Sequence, residues 1–75
     1  MKEELYDMLK TSAKADKAKA LLTLSLLSDH PAGIGDHSTD DFYKNAEEAL
    51  MKLTDADDRL ETLKIYFDST TKRIL

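Results

Sequence analysis

The chain has 75 residues and a net charge of −4, and it is 41% hydrophobic and 35% charged. This composition is too apolar for a disordered chain, and with two Gly and one Pro it has too few breakers for an all-β protein. The lack of cysteine excludes disulfides and thiolate metal sites. We therefore expect one all-α domain spanning residues 1–75, stabilised by helix packing and by self-association.

Charge and hydropathy also argue against binding to nucleic acid and against a membrane-spanning segment. Residues 1–30 hold five Lys and five acidic residues, and residues 31–75 hold six Lys or Arg and ten acidic residues, so binding to nucleic acid is not expected. The most apolar stretch, residues 20–27, is interrupted by Thr23 and Ser25 and is shorter than the ~20 residues of a membrane span. Acidic residues near the start argue against a signal peptide. We expect a cytoplasmic protein with no membrane segment.

The first half of the chain predicts a helix over about residues 2–28. Its Ala- and Lys-rich middle favours helix, although a break near Thr11 and Ser12 remains open. Leu22 and Leu26 point away from the positions that we expect to face the second helix. Those positions are Leu9, Ala13, Ala20, Leu24 and Leu27.

A loop over about residues 29–38 follows, because every Gly and Pro of the chain falls within residues 31–35. The residue before Pro31 is disfavoured in helical geometry, so the first helix ends by Asp29 or His30. A short link between two long helices predicts an antiparallel helical hairpin.

The second half predicts one helix over about residues 39–74, roughly 50 Å long. Ser38 is a suitable N-cap, and Asp40 and Asp41 place negative charge at the positive end of the helix dipole. Apolar residues recur at alternating steps of four and three, which is typical of a coiled-coil seam. The seam positions are Phe42, Ala46, Ala49, Leu53, Ala56, Leu60, Leu63, Phe67, Thr70 and Ile74. Opposite charges also stand four residues apart in Glu48 with Lys52, Asp55 with Arg59, and Asp68 with Lys72.

Both helices carry more apolar positions than one hairpin covers, which predicts a dimer that forms a four-helix bundle. Met51 and Ile65 lie opposite the seam, and Leu50 widens it. The predicted interface residues are Leu22, Leu26, Phe42, Leu50, Met51, Leu53, Leu60, Leu63, Ile65 and Phe67.

The loop is the one region of the sequence that has candidate metal ligands or catalytic residues. Asp29, His30, Asp36 and His37 are candidate ligands for a divalent metal, although their spacing matches no established motif and they also suit a polar loop. Ser38 beside His37 and Asp36 does not make a catalytic relay, because consecutive residues rarely place their side chains in that geometry. We predict no enzyme activity, no catalytic residue and no cofactor.

The stretch DHPAGIGDHSTDDFYKNAEEALMKLTDADDRLETLKIYF, residues 29–67, resembles a group of short uncharacterised proteins of tailed phages, notably phages of marine cyanobacteria. The resemblance is carried by PAGIGDH and by the helix that ends in LETLKIYF. It implies a small helical accessory protein made in the cytoplasm of a bacterial host. The sequence therefore predicts an interaction protein that self-associates and binds a host protein. A metal- or anion-binding module that uses the loop, and a nucleic-acid-associated accessory factor, are the alternatives.

Overall fold

The computed structural model describes residues 1–29 and 39–67. They form two helices, α1 (Glu3–Asp29) and α2 (Thr39–Phe67), and include no strand. The predicted all-α helical hairpin is confirmed, and the helix bounds agree with the prediction within a residue or two where they are described. The cap at Ser38 and the end of the second predicted helix, with Thr70 and Ile74, lie outside the described residues.

Helix α1 runs without a break through Thr11 and Ser12. Hydroxyl side chains inside the helices are accommodated by hydrogen bonds to the backbone one turn earlier. The Thr23 hydroxyl donates to the Lys19 carbonyl at 2.9 Å, and the Thr54 hydroxyl donates to the Leu50 carbonyl at 3.0 Å. These bonds satisfy the hydroxyls without interrupting the helical backbone.

Two ion pairs between the helices establish their direction and register. The Arg59 guanidinium donates to the Asp16 carboxylate at 2.6 Å, and the Lys17 ammonium lies 3.0 Å from the Asp57 carboxylate. Residue numbers that increase along α1 are therefore matched by residue numbers that decrease along α2. The helices pack antiparallel over most of their described length.

Alanine dominates the contact between the helices. In the part of the chain that the structure describes, four of the five buried side chains are alanines. Ala13 and Ala20 lie on α1 and Ala49 and Ala56 on α2, and each pair is separated by seven residues. The fifth, Leu63, continues the α2 pair by another seven residues. Small side chains in register allow two helix axes to approach closely.

The other described seam residues of this contact are half-buried beside the buried alanines. They are Leu24 and Leu27 on α1, and Phe42, Ala46, Leu53 and Leu60 on α2. The predicted seam is packed from Phe42 to Leu63, and the next seam position, Phe67 at the end of α2, is 46% exposed.

Candidate interaction surfaces

The hairpin has two broad faces, and each is marked by one of the ion pairs that join the helices. We name the side that carries Asp16 and Arg59 the polar face. We name the side that carries Lys17 and Asp57 the mixed face.

On the polar face, Arg59 bonds two carboxylates. It donates to Asp16 across the groove and to Asp55 one turn earlier on α2 at 3.1 Å. Of the other predicted pairs, Glu48 with Lys52 is not formed among the described residues, and Asp68 with Lys72 lies outside them. An open groove beside Arg59 is lined by Asp16, Lys19, Thr23, Glu48, Lys52 and Asp55, among others.

These contacts shift the pKa values of Asp16 and Arg59. The hydrogen bond from Arg59 lowers the pKa of Asp16, and the hydrogen bond to Asp16 raises the pKa of Arg59. Both shifts stabilise the charged forms. Because acidic and basic groups are equal in number along this groove, it has no net charge to attract an ion of either sign. We assign the polar face a structural role in holding the register of the helices.

The mixed face has an apolar half and a charged half. Leu21 and Leu24 follow Lys17 by four and seven residues, so they lie on the same side of α1. Leu53 and Leu50 precede Asp57 by four and seven residues and lie on the same side of α2. Since the helices are antiparallel, all four leucines lie on the loop side of the ion pair.

The leucines on this face are not covered by the hairpin itself. Leu21 is 48% exposed and Leu50 is 56% exposed, while Leu24 and Leu53 are half-buried. Tyr43, seven residues before Leu50, extends the apolar stripe of α2 and is also exposed. A contiguous apolar surface built by two helices is typical of an interface.

A second set of apolar residues lies on the outer sides of the helices. Leu22 and Leu26 on α1 are 61% and 52% exposed, and Met51 and Ile65 on α2 are exposed as well. These four agree with the prediction that they point away from the seam. They are too dispersed around the hairpin to belong to the mixed face.

The remaining predicted interface residues have different environments. Leu63 is buried inside the hairpin and is unavailable to a further chain. Phe42 and Leu60 are half-buried in the seam, whereas Phe67 is exposed near the end of α2. Leu50 and Leu53 are the members of the predicted set that lie together on the mixed face.

The candidate metal ligands cannot be assembled into a site from the described part of the chain. Asp29 is exposed at the end of α1, and His30, Asp36 and His37 lie outside the described residues. Within residues 1–29 and 39–67, no group of three or more metal-ligating side chains is close enough to hold an ion.

The helical periods do not by themselves predict the ion pairs that Asp16 and Lys17 make across the hairpin. The alanine spacing limits the register to steps of seven residues, and only the step that aligns Ala20 with Ala56 places Asp16 near Arg59 and Lys17 near Asp57.

Among the residues that the structure describes, neither helix has an apolar segment long enough to cross a membrane. Comparison of the chain with protein-family models, with curated proteins and with solved structures finds no match.

Proposed function

We propose that this chain is a non-enzymatic interaction protein that acts through helix packing and associates with itself as a four-helix bundle. The observation that supports the proposal best is the contrast between core and surface. In the described residues, the side chains buried between the helices are almost all alanines, while thirteen large apolar side chains remain exposed. A core of small side chains contributes little hydrophobic stabilisation, so association that covers the larger ones is favoured.

The resemblance to phage proteins supports the cellular part of the proposal. We propose that the chain is a phage-encoded accessory protein that acts in the host cytoplasm and binds a host protein. The outer apolar residues of α1, Leu22 and Leu26, are the surface that we assign to such a partner, because they lie off the mixed face. A Leu22→Glu variant should lose that partner in a pull-down while keeping the solution mass of the unaltered chain.

The decisive experiment is a measurement of mass in solution. Light scattering after size exclusion should give twice the chain mass of 8.5 kDa at high protein concentration, with a decline toward 8.5 kDa on dilution. Native mass spectrometry should resolve the same two species. A mass of 8.5 kDa at every concentration up to the millimolar range would contradict the proposed self-association.

A further inference from the structure

The mixed face has a pattern that can match a copy of itself. On α1, a stripe of positions separated by three or four residues consists of Lys10, Lys14, Lys17, Leu21 and Leu24. On α2, the corresponding stripe consists of Lys64, Glu61, Asp57, Leu53 and Leu50. Both stripes run from the open end of the hairpin toward the loop, and the contact between Lys17 and Asp57 joins them at 3.0 Å.

Each stripe changes from charged to apolar at the same height. The α1 stripe is basic throughout its charged half, while the α2 stripe is acidic at Asp57 and Glu61 and basic at Lys64. Lys14 and Glu61 have no ion-pair partner within the described ranges. Their charges are therefore available to a second molecule.

One arrangement of two copies satisfies both halves of the face. A twofold axis parallel to the length of the hairpin places α1 of one copy against α2 of the other at the same height. Leucines then meet leucines, and Lys14 lies opposite Glu61 of the second copy. A twofold axis perpendicular to the hairpin instead places α1 against α1, so the basic stripe meets leucines or itself.

We propose that a second copy of this chain docks on the mixed face about a twofold axis parallel to the hairpin, with Lys14 paired to Glu61 of the second copy. This inference depends on the self-association proposed above and specifies its surface and symmetry. All four helices then have antiparallel neighbours, which is the usual geometry of a four-helix bundle. In this arrangement Lys64 of the second copy lies near Lys10. These two like charges are at the rim of the interface, where solvent screens their repulsion.

The size of the face is sufficient for a reversible dimer. From Lys10 to the height of Tyr43 the face is about 30 Å long, at 1.5 Å per residue, and two adjacent helices make it about 20 Å wide. It therefore covers about 600 Å² on each copy, or about 1,200 Å² in total, which is the lower limit for a specific interface. We expect a dimer that dissociates on dilution.

Two charge reversals test the pairing between molecules. Lys14→Glu and Glu61→Lys should each weaken the dimer at least about tenfold, because each places two like-charged pairs across the interface. An equimolar mixture of the two variants should restore dimer formation, since both pairs in the mixed dimer are again of opposite charge. Native mass spectrometry distinguishes the mixed dimer by its mass.

Mixing the two charge-reversal variants distinguishes a contact between molecules from a contact within one chain. A loss of contact inside the hairpin is repaired only by combining both changes in one molecule, whereas a contact between molecules is repaired by mixing. Glu47→Lys reverses an exposed charge four residues before Met51, on the outer side of α2, so it is the matched control and should leave the dissociation constant of the dimer unchanged.

Leu50 and Met51 give an independent comparison at the apolar half. They are adjacent, 56% and 65% exposed, and point about 100° apart around α2. Leu50→Glu should abolish dimer formation with the circular dichroism of the helices retained, and Met51→Glu should leave the dimer intact.

The possible results separate the two proposals. If the chain dimerises but neither charge reversal nor Leu50→Glu weakens the dimer, the mixed face is not the interface, although self-association stands. If the unaltered chain is monomeric at all concentrations, self-association fails together with its assigned surface. If dimers weakened by charge reversal are not restored by mixing, the symmetry that we propose is wrong.

Discussion

Alanine determines how closely the two helices approach. Ala13 and Ala56 are completely buried even though the hairpin is only two helices thick. A methyl side chain needs little neighbouring volume for complete burial, which explains why alanines are enclosed while the adjacent leucines are only half-buried. The tight contact also leaves no space for a larger side chain at these positions.

We therefore expect Ala56→Leu to destabilise the hairpin by about 1–3 kcal/mol, because the added methylenes push the helices apart. Chemical denaturation followed by circular dichroism measures the change in the free energy of unfolding. Ala15→Leu, at an exposed position on α1, is the control and should change stability little. Equal effects of the two substitutions would show that Ala56 is not in a tight contact.

The ion pair between Asp16 and Arg59 makes stability depend on pH. The pKa of Asp16 in the folded chain lies below its ordinary value of 3.8, chiefly because Arg59 donates a hydrogen bond to its carboxylate. The pair therefore stabilises the fold above pH 3.8, and that contribution is lost as the pH falls through the lower folded pKa.

Asp16→Asn should lower the urea midpoint at pH 7, and the difference from the unaltered chain should diminish below about pH 4. Urea denaturation at a series of pH values measures this directly. Asp58→Asn removes an exposed carboxylate that has no ion pair among the described residues, so it controls for net charge. A difference that persists unchanged to pH 2 would exclude the ion pair as its cause.

At the scale of the helices, a period of seven residues organises both elements. Ala13 and Ala20 on α1, and Ala49, Ala56 and Leu63 on α2, repeat at this interval. The repeat keeps one stripe of each long helix facing its neighbour. It also leaves the register ambiguous, because sliding one helix by seven residues aligns alanines again. The ion pairs on the two faces remove this ambiguity, since each requires one alignment.

Cysteine pairs test the register, and the chain has no cysteine of its own to interfere. Ala20→Cys combined with Ala56→Cys should form an intrachain disulfide, because both positions are buried at nearly the same height. Ala13→Cys combined with Ala56→Cys should not, since the two are separated by about 10 Å along the axis, beyond disulfide reach. Free-thiol titration and mass spectrometry report the outcome. A register shifted by seven residues so that Ala13 lies opposite Ala56 would reverse the outcome.

At the scale of the whole molecule, stability and association are linked. The buried core offers few methylene groups, and small domains with so little core usually need a partner or a covalent constraint. Covering Leu21, Leu24, Leu50 and Leu53 in a dimer would supply apolar burial that the hairpin lacks. Folding that is coupled to association depends on protein concentration.

The thermal midpoint should therefore rise as protein concentration rises from the micromolar to the millimolar range. Leu50→Glu should remove this dependence, leaving a lower midpoint that is constant with concentration, because that variant cannot bury the mixed face. Circular dichroism in cells of different path length measures both. A midpoint of the unaltered chain that does not move with concentration would indicate that the hairpin is stable alone.

The sequence by itself determined the all-helical architecture, the bounds of α1, the start of α2 and most of the packed seam. These properties follow from local spacing: apolar residues at steps of three and four, and breakers confined to residues 31–35. The same spacing indicated that Leu22 and Met51 point outward. It did not distinguish a packed Leu63 from an exposed Phe67, because both fit the heptad equally.

The tertiary structure decided the register of the two helices. The register in turn decided which side chains lie together on the polar face and on the mixed face. Which alanine of α1 lies opposite which alanine of α2 is a long-range choice that no local period specifies. That choice places Asp16 beside Arg59 and Lys17 beside Asp57. It thereby sorts the remaining side chains into a polar face and a half-apolar face, because an antiparallel pair aligns the flanks of both helices along its length.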